Sequence, residues 1–167
     1  MSLTITDVHR PTAPRRTATP APTFVTPSTA RRLMVLGEEI RVRLSGNDTN
    51  GALALFEQSA KPGFSVPMHV HEREDETFHV IEGSIHVTVV RGSERLEIFA
   101  NAGDTVFAPR GLPHTWTAIG DRAAKLIILT SPAGMEHMFA DLDRLPPGPP
   151  DFAKVKEVCA RYGVRVG

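Results

Sequence analysis

The sequence predicts an all-β barrel or sandwich with short helices after it. Three observations carry this. Between about Arg32 and Thr130 the chain runs as short segments with period-two alternation, such as Ile85, Val87 and Val89 set against His86 and Thr88. Turn signals separate them, among them Gly46-Asn47-Asp48, Lys61-Pro62-Gly63, Glu82-Gly83, Arg91-Gly92-Ser93 and Asn101-Ala102-Gly103-Asp104. After Ser131-Pro132 the period lengthens to that of a helix. Evenly spaced short strands of this kind close into a barrel or stack as a sandwich.

The first 27 residues hold five prolines among Thr and Ala, and such a segment buries too little apolar surface to offset its ordering entropy. It reads as a flexible arm, residues 1–27. The barrel is expected over 28–132 and a helical extension over 133–167. Strands are predicted at 33–36, 40–44, 52–58, 66–70, 77–81, 85–89, 96–99, 105–108, 115–119 and 125–130. In the 52–58 strand Leu53, Leu55 and Glu57 share one face. In the extension, Met135, Met138, Phe139 and Leu142 share a helical face, either docking the helix or forming a lid. Asp151 is a plausible N-cap for a second helix, Phe152 to Tyr162, ended by Gly163.

Bulk properties narrow the function. Lys plus Arg number 19 and Asp plus Glu 19, so the chain lacks the basic footprint of a nucleic-acid or anionic-membrane partner. A hydrophobic fraction of 41% suffices for a buried core. One cysteine, Cys159, excludes an internal disulfide framework and a CxxC zinc site. No apolar run matches a secretory signal or a bilayer span, and Arg15-Arg16 has no hydrophobic segment behind it, so the expectation is a cytoplasmic protein.

His69 and His71 stand two apart in a predicted strand, which sends both imidazoles to one face. Glu76 opens the next strand, and hairpin pairing would bring it beside them. His114 opens a third after Pro109-Arg110-Gly111-Leu112-Pro113. Three imidazoles and a carboxylate suit one divalent transition ion, with manganese, iron, nickel, copper and zinc all open. The acidic run Glu72 to Asp75 reads as a solvated turn. Glu57 is either a group behind the site or a surface carboxylate, and the surface is the better fit. By alternation His79 and His86 face away from the site. Phe78, Phe107, Trp116 and Met68 line either an apolar pocket or ordinary core.

The run Gly63-x5-His69-x-His71-x4-Glu76-x6-Gly83 resembles the first motif of the cupin family at every defining position, and Gly103-x5-Pro109-x-Gly111-x2-His114 resembles the second. The family's asparagine four residues on is Ala118 here, which removes a polar group but no ligand. The resemblance implies a double-stranded β-helix, or jelly-roll, barrel, often a homodimer, with the metal inside on His69, His71, Glu76 and His114. Gly83 and Gly103 sit where tight turns want positive φ. In motif and length the chain resembles the single-domain flavonol dioxygenases of the family, the quercetinases. That implies a small enolisable aromatic substrate, dioxygen as co-substrate, and Glu76 as both ligand and proton acceptor. Two other readings stand beside it: metal-dependent isomerase, cyclase or lyase chemistry without dioxygen, and a small-molecule binding module without turnover. His71 in place of Asp separates the chain from oxoglutarate oxygenases, and the presence of Glu76 separates it from thiol dioxygenases.

Overall fold

A computed structural model describes residues 19–167. Most of the expected arm, with His9 and Arg15-Arg16, lies outside the described residues. From 19 to 26 the chain has no regular element, and Phe24 is exposed.

Eleven strands and three helices follow. One sheet has six strands in the order β1 (Arg31–Val35), β2 (Glu38–Leu44), β3 (Ala54–Ala60), β10 (Ala124–Ser131), β5 (Asp75–Glu82) and β8 (Thr105–Ala108). The other has five, in the order β11 (Val164–Val166), β4 (Ser65–His71), β9 (His114–Ile119), β6 (Ser84–Arg91) and β7 (Glu94–Asn101). All neighbouring strands are antiparallel. This is the jelly-roll arrangement expected of the sequence: each strand turns one row of side chains inward and the two inward faces share a core. On β10, for instance, Ala124, Leu126, Ile128 and Thr130 are buried while the residues between them are not.

Gly83 shows how turn chemistry fixes the register. Its φ is 71°, and a Cβ there would stand 2.6 Å from the Ala123 carbonyl oxygen, so only glycine lets β5 turn into β6 against the start of β10.

As expected, Leu53, Leu55 and Glu57 share one face along β3; it is the outer one, and Ala54, Phe56 and Gln58 form the inner face. The structure corrects the predicted elements in two places. Gly46 to Thr49 forms a short helix, α1, rather than a bare turn, because the Asp48 carboxylate accepts from both the backbone N–H and the hydroxyl of Ser45. The last four residues do not trail from a helix: Val164–Val166 pairs with His69 to His71 of β4 as a sheet edge.

The two expected helices are present. α2 spans Met135–Asp143 and packs Met135, Met138, Phe139 and Leu142 against the barrel, with the Phe139 ring edge-on to Phe56 at 5.0 Å. α3 spans Phe152–Arg161, and the Asp151 side chain caps it by accepting from the N–H groups of Ala153 and Lys154. Asp141 of α2 ties the pair together, accepting from the Tyr162 hydroxyl at 2.7 Å and from Arg161 at 3.3 Å. No helix among the described residues is long and apolar enough to cross a membrane.

Candidate metal centre

The inward row of β4 ends in His69 and His71. β9 begins with His114, which pairs directly with His69. Glu76 comes from the facing sheet. β4 and β5 do not form a paired hairpin, because residues 72–74 carry the chain from one sheet to the other, and Glu76 reaches the histidines across the barrel interior.

All four side chains are buried, and one donor atom from each lies within 4.8 Å of the others. His114 Nε2 is 3.0 Å from Glu76 Oε2, His71 Nε2 is 3.3 Å from it and His69 Nε2 is 3.9 Å. The Nε2 atoms of His69 and His71 are 3.0 Å apart. The outer ring nitrogens are held as well. His69 Nδ1–H donates to the Pro67 carbonyl at 2.8 Å and His114 Nδ1–H to the Leu112 carbonyl at 3.0 Å. A proton fixed on Nδ1 leaves the Nε2 lone pair pointing inward, which is the tautomer a metal needs. The donor set therefore fits one divalent transition ion.

The electrostatics express the same crowding. Burial pulls the His69 imidazole below its ordinary value, and the Glu76 charge and hydrogen bond only partly offset this. For His71 burial acts in the same direction, but the nearby carboxylates of Glu76 and Glu74 outweigh it and lift the group to about 9. Burial pushes the Glu76 carboxyl up, yet the His71 charge and the donors of the three imidazoles hold it well below the usual carboxylate range. That direction is opposite to the lifted value a resident proton acceptor needs, and it favours Glu76 as an ionised ligand.

Several sequence expectations move. Glu74 does not sit in a solvated turn: it is 5% exposed, with Oε2 3.8 Å from His71 Nδ1. It lies beside Gly134, while the C-terminal segment covers the two residues before it. Arg73 lies over Gly163, the Glu72 N–H donates to the Gly163 carbonyl, and Arg165 pairs with Glu72. Asp75, on the same run, holds Arg110 at 2.7 Å. Phe107 is 59% exposed on the edge strand β8 and lines no pocket. Met68 is half-buried and outside the cavity. Phe78 is buried against the His114 and Trp116 rings. As alternation required, Glu57 faces outward among Arg41, Arg43 and Lys125, His79 meets Thr105, and His86 meets Glu97. Ala118, where the family has asparagine, is buried, with its backbone bonded to Gly63 and Phe64.

His69, His71 and Glu76 form one wall of a cavity of about 80 Å³. Its other walls are apolar: Ile40, Phe64, Val66, Trp116 and Ile128 from the barrel, and Met135, Met138, Phe139, Leu142, Val155, Cys159, Val164 and Val166 from the C-terminal elements. Among the described residues, no Lys or Arg lines it, and apart from the three donors its polar lining side chains are Gln58, the Trp116 indole and the Cys159 thiol. Alternation along β3, read from its apolar neighbour Phe56, was the available signal for Gln58.

Residues 56–131 match the model of the Cupin domain family. These findings support the cupin superfamily. Among solved structures, oxalate decarboxylase from Bacillus subtilis is similar at 25% identity and a TM-score of 0.57, over 64% of this chain and 28% of that one. The structure of KdgF from Halomonas sp. is similar at 19% identity and a TM-score of 0.59, over 70% of this chain and 99% of that one. The chain thus spans little more than a quarter of the oxalate decarboxylase, a protein described with Mn(II) centres. No curated protein matches the sequence.

Proposed function

We propose that this cupin is a metal-dependent enzyme, and that it is a dioxygenase for a small, largely apolar, enolisable aromatic substrate of the flavonol type. One observation carries the reading: a buried donor set of three histidines and a glutamate opens onto a cavity whose wall is apolar and free of cationic side chains. A substrate there gains by burying apolar surface and by offering one acidic oxygen to the site.

His69, His71, Glu76 and His114 would hold one divalent ion. When bound, that ion would supply Lewis acidity toward an acidic substrate oxygen and, if redox-active, the means to engage dioxygen. The chain's own residues do the rest. The apolar wall excludes water. Nδ1–H bonds to Pro67 and Leu112 keep two imidazoles neutral and aimed. Glu76 is a ligand while ionised. Its low proton affinity comes from the His71 charge and the imidazole donors. Were the histidines neutral ligands, those causes would be absent, and Glu76 would be a buried carboxylate whose burial raises its proton affinity enough to hold the substrate's proton. At the far end of the cavity Gln58 offers an amide to a second polar group. It sits four residues along β3 from Ala54, whose partner Thr130 pairs with Glu76, so the two polar groups enter the wall from different levels of the barrel.

The likeness to oxalate decarboxylase raises a second reading, metal-dependent chemistry without net use of dioxygen. The cavity speaks against a dianion such as oxalate, because beyond the ion itself no lining Lys or Arg would offset its desolvation or pair with its second carboxylate.

The test begins with elemental analysis of protein purified without added metal or chelator, followed by oxygen-electrode assays with a flavonol. Metal-dependent oxygen uptake matched to flavonol loss supports the dioxygenase. Turnover without oxygen uptake moves the function to the second reading, and absence of metal even after reconstitution refutes both. The Glu76→Gln variant separates its two roles: full activity with metal bound would sink Glu76 as proton acceptor.

A further inference from the structure

Each histidine of the donor set needs a partner for its outer nitrogen, and two of them have backbone carbonyls. The third does not. His71 Nδ1 is buried with no hydrogen-bond partner, and it faces Glu74 Oε2, which is buried with none either, 3.8 Å away. Unpaired buried polar atoms are rare and costly, and two that face each other call for a state in which they meet.

The groups around Glu74 leave it no other role. The nearby Gly134 N–H donates to Glu136, Arg110 is engaged by Asp75, and Arg165 by Glu72. Nor is burial at this point incidental, since β11 and the Gly163 turn close over the 72–74 segment.

We propose that Glu74 is a positioning residue: it accepts the His71 Nδ1–H hydrogen bond when Nε2 of the same ring holds the metal ion. The proposal rests on the metal-centre reading above. A separation of 3.8 Å exceeds a hydrogen bond by about 1 Å, a gap that a small rotation of either side chain closes. A carboxylate behind a ligating imidazole fixes its tautomer and raises its basicity, which the two carbonyl-held rings obtain only in part. His71 becomes the strongest imidazole donor of the set, tied through Glu74 to the segment that the C-terminal strand buries.

The experiment is a cobalt(II) titration of wild type, Glu74→Gln and Glu74→Ala, with affinity read by competition against a chelator and geometry by visible absorption. Glu74→Ala is expected to weaken cobalt binding about 10- to 100-fold and to alter the absorption bands. Glu74→Gln keeps an oxygen that accepts from Nδ1–H, so it restores the wild-type bands and loses less affinity. A purely structural Glu74 would lower thermal stability in both variants and leave affinity and bands unchanged, which overturns the proposal. Equal losses in both variants also overturn it, because acceptance of the hydrogen bond would then be irrelevant. If the alanine variant does not fold, Glu74→Gln decides alone: wild-type affinity refutes the role, and weaker binding with wild-type bands supports it. Failure of wild type to bind cobalt refutes the metal centre itself, a result distinct from any difference among the variants.

Discussion

Phe139 tests whether the C-terminal helices are an appendage or part of the barrel. Its ring is 8% exposed and meets Phe56, which is fully buried, in an edge-on pair with centroids 5.0 Å apart. Truncation to alanine removes that pair and most of the side chain's buried area, and it leaves a void beside a cavity that already exists. Phe→Ala at such a position costs about 3–5 kcal/mol. For a chain of this length each kcal/mol lowers the melting temperature by roughly 2–4 °C, so the expected drop is roughly 6–20 °C. Phe139→Leu keeps the apolar contact and forfeits chiefly the ring pair, at about 0.5–1.5 kcal/mol. Urea unfolding of both variants, followed by tryptophan emission, measures the loss at Trp116, which lines the same cavity. A cost below about 1 kcal/mol for Phe139→Ala would refute the claim that α2 completes the core. Because α2 also walls the cavity, the same variant should release bound metal to a chelator faster than wild type.

Two further outcomes follow from the same region. Burial pushes the Cys159 thiol up to about 11, so it should resist thiol reagents at pH 8 in the native protein and react fully in denaturant; rapid native labelling would show that the cavity wall opens. The Asp141 carboxyl is held below its ordinary value, first by the Tyr162 hydroxyl. A depressed carboxyl contributes stability that is full above its unfolded value, near 3.8, and is lost as pH falls through the lower folded value. Hydrogen-exchange protection factors in α3, corrected for the intrinsic rate at each pH, should therefore fall on acidification below pH 4 in wild type, whereas Asp141→Asn should be less protected already at pH 7 and lose little more in acid.

How much of this was legible in the sequence depends on the range of the contact. His69 and His71 are fixed by strand alternation, Asp151 by the local chemistry of a cap, and Gly83 by the demand of a tight turn, all within a few residues. Glu74 was not legible, since four consecutive charged residues read locally as solvated, and what packs on this run comes from far along the chain, Gly134 beside Glu74 and Gly163 against Glu72 and Arg73. β11 escaped for a related reason: three residues after a helix carry no period, and their pairing with β4 is a contact of sheet edge with sheet edge. Gln58 and Phe107 mark the limits of alternation. It gives two faces but does not say which one the opposing sheet will cover. β3 buries the face holding Gln58, and β8, at the sheet's edge, leaves Phe107 outside.

The same division separates reaction from selectivity. The four donors lie within residues 56–131, the stretch matched by the Cupin domain model. Much of the cavity wall does not: Met135, Met138, Phe139, Leu142, Val155, Cys159, Val164 and Val166 all follow it. A metal and its ligands set which bonds can be polarised, but the wall decides which molecule sits beside them, by shape and by the cost of stripping water from its charges. The likeness to oxalate decarboxylase is a likeness of barrels over 64% of this chain, and a dianion would meet here an apolar wall with no Lys or Arg. On the proposed function, substrate choice therefore rests with α2, α3 and β11, and exchanging a single wall residue for a cation, as in Met138→Arg, is the change expected to turn the cavity toward anions.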